Sequence, residues 1–163
     1  MDRIKNKKQL LHSDISENII GCCFEVIKEL GSGFLENVYK NALYLVMKQK
    51  GLNVLAEQSF EVVFRKHKIG RYVADLIVEH LIIVELKCCK TLLPEHQAQL
   101  INYLKASNRP VGLLVNFGNP KLEYKRLHHP DQFTASEESD DEPLPFLLPQ
   151  QEKEPPIFSS CPS

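Results

Sequence analysis

Helical periodicity marks the first part of the chain. Apolar residues recur every three or four positions over 14–30, where Asp14 followed by Glu17 makes a capping-box pattern. A second amphipathic stretch covers 35–50 and is closed by Gly51. The sequence therefore predicts two consecutive helices ahead of the first strand.

Runs rich in β-branched and aromatic residues follow the two predicted helices. A polar turn at 66–70 separates the first two runs, and we expect three runs to form an antiparallel meander. The predicted strands of this meander cover residues 60–64, 72–78 and 81–86. A helical pattern over 94–106 comes next, before strands at 111–116 and 122–127. This order of elements indicates an α/β or α+β fold with a mixed sheet.

The charge is divided unevenly along the chain. Of its 163 residues, 43% are hydrophobic, which is enough for one globular domain with its own core. Residues 1–133 carry 19 Lys and Arg against 14 Asp and Glu, whereas residues 134–163 carry one against seven and are rich in proline. We therefore predict a mildly basic domain followed by a disordered acidic tail. The apolar cluster 144–148 is either a short docking motif or a solvated part of this tail.

The sequence lacks the usual marks of membrane and secreted proteins. Its longest apolar run, 81–84, is far too short to cross a bilayer, and no hydrophobic segment follows the basic N-terminal residues. The five cysteines are odd in number and lack C-x-x-C spacing, as expected of reduced thiols in the cytosol. We expect a cytoplasmic protein without a membrane partner.

Charged side chains interrupt the otherwise apolar strands of the meander. Glu85 and Lys87 lie on one face, because side chains alternate along a strand. A two-residue turn at 79–80 would set Asp75 opposite Val84, whereas a three-residue turn or a bulge would set it opposite Glu85. Only the second arrangement brings two carboxylates together beside an ammonium group. Such an oxygen-rich site suits a hard cation such as Mg²⁺.

Three motifs of the chain resemble those of known nucleases. Asp75 followed by residues 85–87, Glu-Leu-Lys, resembles the D…(D/E)-x-K signature of the PD-(D/E)XK nuclease superfamily. Residues 33–39, Gly-Phe-Leu-Glu-Asn-Val-Tyr, are similar to the motif that names the GxxExxY protein family, and the similarity extends over about 14–128. Residues 99–103 match the Q-x-x-x-Y element that some branches of the superfamily carry on the following helix.

This resemblance implies a PD-(D/E)XK fold, a site and a reaction. Asp75 and Glu85 would bind Mg²⁺ or Mn²⁺, with Glu36 and the backbone carbonyl of Leu86 as further ligands, and Lys87 would position or activate the attacking water. The two residues that would steady this site or contact a phosphate are Gln99 and Tyr103. The implied function is a Mg²⁺-dependent nuclease that acts on nucleic acid, on DNA in preference to RNA.

Other interpretations of the same residues stay open. Glu36 also suits the first turn of a helix, where the macrodipole favours a negative charge, and Gln99 with Tyr103 also suits a surface pair. The charges of the meander also suit a structural salt bridge at a sheet edge. For the whole chain, the alternatives are a non-catalytic module that binds nucleic acid or protein, and a hydrolase of another phosphate ester.

Basic residues form two clusters, at 3–8 and at 65–71. The second cluster leads into the strand that bears Asp75, so it would hold a phosphate backbone near the metal; a solvated hairpin tip is the alternative. The excess of Lys and Arg in the predicted domain is modest. Non-specific affinity for nucleic acid is therefore expected to be weak and strongly salt-dependent.

Overall fold

The computed structural model describes residues 11–132 of the chain. The elements, in chain order, are α1 (Ser13–Leu30), α2 (Glu36–Gln49), β1 (Val54–Phe64), β2 (His67–Val78), β3 (Ile82–Lys87), α3 (Pro94–Ser107), β4 (Val111–Asn116), β5 (Glu123–His128) and a 3₁₀ turn (Pro130–Gln132). Helices and strands follow one another in the predicted order. The predicted acidic tail, with its apolar cluster, and the basic residues at 3–8 lie outside the described residues.

The start of α1 differs from the capping-box prediction. The N-cap residue is His12, and no side chain makes a capping hydrogen bond there, so the capping role expected of Asp14 is wrong. Asp14 lies within the first turn instead, where the helix dipole favours its negative charge. The hydroxyl of Ser16 donates to the carbonyl of His12 at 2.9 Å, which ties the first turn to the residue before it.

The five strands form one mixed sheet in the order β1-β2-β3-β4-β5. Every neighbouring pair is antiparallel except β3 and β4, which are parallel. Helix α3 forms the crossover that a parallel pair requires. β4 is buried along its whole length, as the apolar run 111–115 predicts for all but its last residue, Asn116. The predicted mixed α/β class is therefore confirmed.

Two apolar cores lie on opposite faces of this sheet. On β3, Ile82 and Val84 pack in the core that contains α1 and α2, whereas Ile83 packs in the core that contains Leu100 and Leu104 of α3. This division follows from the alternation of side chains along a strand. The helices are amphipathic, and within residues 11–132 none of them is long and apolar enough to cross a membrane.

The β1–β2 hairpin is longer than the sequence predicts. β1 begins at Val54, ahead of its predicted start, and the turn consists of Arg65 and Lys66 rather than the longer polar stretch. Both turn residues have positive φ, as a two-residue hairpin turn of type I′ requires. Gly70 lies inside β2 opposite Val62, next to a one-residue shift of register. The exposed strands have little apolar alternation, so periodicity could not mark them.

Candidate active site

The connection between β2 and β3 decides which residues meet across this hairpin. The register pairs Leu76 with Val84, so the connection spans the three residues 79–81. Extended by one step, this register would set Asp75 opposite Glu85, and the charge of Asp75 does act on Glu85. Of the two turns that the sequence allows, the structure therefore has the three-residue turn, from which the sequence predicts that the two carboxylates meet.

Asp75 is anchored at the end of the β2–β3 ladder. Its Oδ2 accepts a hydrogen bond from the backbone N–H of Leu86 at 2.9 Å. Burial raises the pKa of Asp75, while the Leu86 hydrogen bond and the ammonium groups of Lys40 and Lys87 oppose the rise. The carboxylate is thus fixed in direction, and its negative charge is only partly compensated.

The alternation of side chains along β2 is broken at Asp75, so that the residues on either side of it pack in different cores. Leu76 packs in the α1–α2 core, but Ala74 packs in the α3 core, although residues two apart on a regular strand share a face. The register places Glu57 of β1 between the partners of these two residues, and its φ is +55°. Irregularities of this kind re-aim side chains. Asp75 therefore lies at the point where the buried side chains of β2 switch from the α3 core to the α1–α2 core.

Glu85 is a buried carboxylate with only one of its oxygens paired. The residue is 5% exposed, and its Oε1 accepts a hydrogen bond from Nζ of Lys87 at 3.3 Å. Its Oε2 is buried and has no hydrogen-bond partner. Burial, and then the charge of Asp75, raise the pKa of Glu85 to about 8. A buried polar atom is costly without a partner, so this oxygen favours the approach of a proton or a cation.

A chain of hydrogen bonds links Lys87 to helix α3. Nζ of Lys87 donates to Oε1 of Gln99 at 3.2 Å, in addition to its bond with Glu85. Nε2 of Gln99 donates to the hydroxyl of Tyr103 at 2.7 Å, and the Tyr103 ring stacks on Tyr72 with centroids 3.9 Å apart. Gln99 and Tyr103 therefore support the lysine and do not form an isolated surface pair.

Glu36 approaches the strand carboxylates from the first residue of α2. Although the residue as a whole is exposed, its carboxylate lies close enough to Cys88, just after β3, for the backbone N–H of Cys88 to act to lower its pKa. Burial by the surrounding protein, and then the charge of Asp75, raise the pKa of Glu36, while Lys87 opposes the rise. A role at the helix terminus alone does not account for these interactions across the sheet.

The glycine and the tyrosine of the G-x-x-E-x-x-Y motif shape the loop before Glu36. Gly33 has a φ of +114°, a conformation that favours glycine. The hydroxyl of Tyr39 donates to the carbonyl of Gly31 at 2.6 Å and accepts a hydrogen bond from the N–H of Phe34 at 3.3 Å. Tyr39 is fully buried, so it ties this loop to the core and fixes where α2 begins.

Lys40 is a residue of this site that the sequence reasoning missed. It lies one helical turn after Glu36, is 8% exposed, and donates from Nζ to Oε1 of Glu57 at 2.7 Å. Its charge acts to lower the pKa of Asp75, and that of Glu57 acts to raise it; both effects are smaller than that of burial. The four-residue spacing from Glu36, which puts both side chains on one helix face, was the available signal.

The donor set at this site has the chemistry of a hard-cation site. Among residues 11–132, no three His, Cys, Asp or Glu side chains converge closely enough to hold a metal ion together. Asp75 nevertheless raises the pKa of both Glu36 and Glu85, and Oε2 of Glu85 has no partner. Carboxylate oxygens are the ligands that Mg²⁺ prefers, so these three residues fit such an ion by charge and donor type.

Comparison with known proteins identifies a family to which the chain is similar. Residues 13–127, which include every site residue described above, match the family model of the PD-(D/E)XK nuclease superfamily. Among curated proteins, none matches significantly. Among solved structures, the crystal structure of SSO0001 is similar at 23% sequence identity, with a TM-score of 0.48. That similarity covers 58% of this chain and 50% of the other, so the chain spans about half the length of this relative.

Proposed function

Because the chain belongs to the PD-(D/E)XK nuclease superfamily, we propose that it is a metal-dependent nuclease that hydrolyses phosphodiester bonds, with DNA preferred over RNA. The superfamily indicated by the sequence motifs is thereby confirmed. Membership of the GxxExxY family is part of the proposal. The geometry that Gly33 and Tyr39 give to the loop before Glu36 supports it.

The observation that carries the proposal is the buried, unpartnered Oε2 of Glu85 beside Asp75 and Lys87. A purely structural salt bridge gains most when the lysine and further donors satisfy the whole carboxylate. Here Lys87 pairs with Oε1 alone, at 3.3 Å. A binding module has no use for a buried carboxylate whose pKa is raised to about 8. A metal-dependent nuclease does have a use for such a carboxylate, because its carboxylates must bind a cation.

The proposed metal site requires three carboxylates to draw closer together than they lie in the described structure. Asp75, Glu85 and Glu36 would bind Mg²⁺ or Mn²⁺ in their ionised forms, with the backbone carbonyl of Leu86 as a further ligand. A bound ion of this kind polarises a phosphoryl oxygen and lowers the pKa of a water molecule. The bond from the Leu86 N–H to Asp75 keeps that carboxylate in a fixed orientation.

Lys87 would supply the positive charge nearest to the reacting phosphate. An ammonium group has three N–H donors, and in Lys87 two of them are used in hydrogen bonds to Glu85 and Gln99. The third can orient the attacking water or meet charge that develops on a phosphoryl oxygen. Gln99 is held in turn by Tyr103, so the lysine stays in place without reorganisation during the reaction.

We also propose the arrangement of the chain around this site. Residues 1–133 form the catalytic domain and residues 134–163 an acidic tail, in a cytoplasmic protein. The uneven distribution of charge, the prolines beyond 142 and the thiol pattern support this arrangement.

The experiment that tests the function measures cleavage and binding with one set of variants. Wild type is incubated with single-stranded and double-stranded DNA and RNA, in Mg²⁺, in Mn²⁺ and in EDTA. Lys87→Ala should lose cleavage by on the order of a hundredfold, because a transition-state contact is removed. It should keep its affinity for nucleic acid within a few-fold. Lys87→Arg should not restore the rate, since a planar guanidinium cannot replace an ammonium group.

Lys90→Ala is the matched control for this experiment. Lys90 is an exposed lysine three residues after Lys87 in the chain, and its side chain has no role in the proposed site. This variant should cleave as wild type does. The proposal fails if wild type cuts no substrate with either metal, or if Lys87→Ala changes binding and cleavage by the same factor.

A further inference from the structure

The hairpin of β1 and β2 extends beyond the rest of the sheet. β3 pairs with β2 only over residues 76–78, whereas β1 and β2 pair with each other as far as Phe64 and His67. Residues 58–74, which we call the arm, therefore form a two-stranded ribbon without a third strand. At its base one face is covered by α3, because Ala74 packs in the α3 core and Tyr72 stacks on Tyr103, so both faces are open to a partner only toward the tip.

The arm carries the net positive charge of the described structure. Residues 58–74 hold four Lys and Arg against one Glu, whereas the other residues of 11–132 hold 11 against 12. The four cationic residues, all exposed, are Arg65, Lys66, Lys68 and Arg71. The acid of the arm, Glu61, pairs with Lys68 at 2.6 Å. This charge distribution complements a polyanion.

Apolar side chains are exposed among these charges. Val63, Phe64 and Ile69 are 59%, 57% and 55% exposed. The guanidinium of Arg65 lies over the Phe64 ring, 5.2 Å from its centroid. In nucleic-acid grooves, apolar side chains contact base edges and methyl groups while cations contact the phosphates on both sides. The mixed surface of the arm is suited to such a groove.

Resting on the proposed nuclease function, we infer that the arm enters the major groove of duplex DNA beside the cleavage position. A two-stranded ribbon fits the major groove of B-DNA, which is about 12 Å wide. The major groove of A-form RNA is too deep and narrow for side chains to read. The substrate class that fits the arm is therefore double-stranded DNA.

The length of the arm sets the extent of this contact. Lys66 precedes Asp75 by nine residues, which at about 3.3 Å per strand residue corresponds to about 30 Å. On duplex DNA this length spans about nine base pairs. The tip of the basic cluster at 65–71 would thus contact the phosphate backbone far from the metal, whereas Arg71 lies nearer to Asp75 along the strand.

The test uses a variant of the arm tip that preserves the turn. Arg65 and Lys66 both have positive φ, and Asn-Gly is the dipeptide that such a two-residue turn prefers. Arg65→Asn combined with Lys66→Gly therefore removes two charges without straining the hairpin. The matched control, Lys121→Gln with Lys125→Gln, removes two exposed charges at the opposite end of the sheet, in and before β5.

Binding is measured by fluorescence anisotropy in EDTA, so that cleavage does not interfere. The probes are DNA duplexes of about 8 and about 24 base pairs and an RNA duplex of the longer length. At about 0.1 M salt the tip variant should bind the long DNA about tenfold more weakly, and the slope of log affinity against log salt should fall by about 2. The short DNA and the RNA should bind both proteins equally, and the control variant should match wild type.

The inference about the arm is overturned if the tip variant keeps its affinity for the long DNA, or if the control or the RNA shows the same loss. It is also overturned if the tip variant changes the sedimentation of the protein and not its DNA affinity, since the arm would then contact a second copy. Failure of the nuclease proposal is a separate result. A wild type that binds through the arm and cuts nothing refutes only the activity.

Discussion

Replacing Glu85 with glutamine perturbs the charge at the centre of the site with little change of shape. The pKa of Glu85 in the folded protein is raised from its ordinary value of 4.5 to about 8. Between these two values the folded chain binds one proton more than the unfolded chain. The free energy of unfolding therefore falls as the pH rises through this interval, in the absence of metal.

The size of this effect follows from the shift of the pKa. Each unit corresponds to about 1.4 kcal/mol, so wild type should lose on the order of 4 kcal/mol between about pH 5 and pH 8. Glu85→Gln cannot ionise and keeps an acceptor for Lys87. It should match wild type near pH 5 and be more stable near pH 8 by the same order of magnitude. Asp75 and Glu36, whose pKa values are also raised, should leave a smaller slope in both proteins.

Urea unfolding in EDTA and a reducing agent measures this difference. Circular dichroism is the suitable probe, because the chain has no tryptophan. The control Glu29→Gln, at an exposed position of α1, should keep the pH dependence of wild type. Added Mg²⁺ near pH 8 should stabilise wild type more than Glu85→Gln. The reasoning is refuted if wild-type stability is constant or rises from about pH 5 to pH 8, or if Glu85→Gln is equally destabilised throughout.

Two further changes test the packing and the tail. Gly112→Ala should destabilise the protein by about 1–3 kcal/mol, since an added Cβ would lie 2.8 Å from side-chain atoms of Leu100. In urea unfolding, Gly112→Ala combined with Leu100→Ala should cost less than the sum of the single changes, and strict additivity would contradict the predicted clash. Deleting residues 134–163 should leave the thermal midpoint nearly unchanged and tighten binding to nucleic acid at low salt, because seven acidic residues are removed with one basic residue. A large drop in the midpoint would show that the tail belongs to the core.

The sequence predicted most of the fold because burial imposes a period on buried elements. β4 is apolar over 111–115 and ends in the buried Asn116, and its predicted bounds of 111–116 match the structure. The β1–β2 hairpin was predicted less well, since most of its side chains face water. Its turn depends on the positive φ of Arg65 and Lys66, and neither arginine nor lysine is a residue type that predicts this conformation.

In the candidate site, the sequence predicted only the residues that belong to recognisable motifs. The facing of Asp75 toward Glu85 could not be chosen from the sequence, because it depends on the turn at 79–81, where two residues have positive φ. The pair of Lys40 and Glu57 joins a helix to a strand 17 residues later in the chain. No local pattern predicts a contact of that kind, nor the positive φ of Glu57.

The three-residue connection 79–81 makes the proposed active site depend on the length of a turn that contains no site residue. Side-chain facing along a strand has a period of two, so deleting one residue from this turn would rotate Glu85 and Lys87 away from Asp75. All residues of the nuclease signature would still be present after that deletion. Among related genomes, the number of residues between the aspartate and the glutamate should therefore separate working copies from decayed ones better than the signature itself. A copy one residue short at this turn would still match the nuclease signature but would lack the proposed active site.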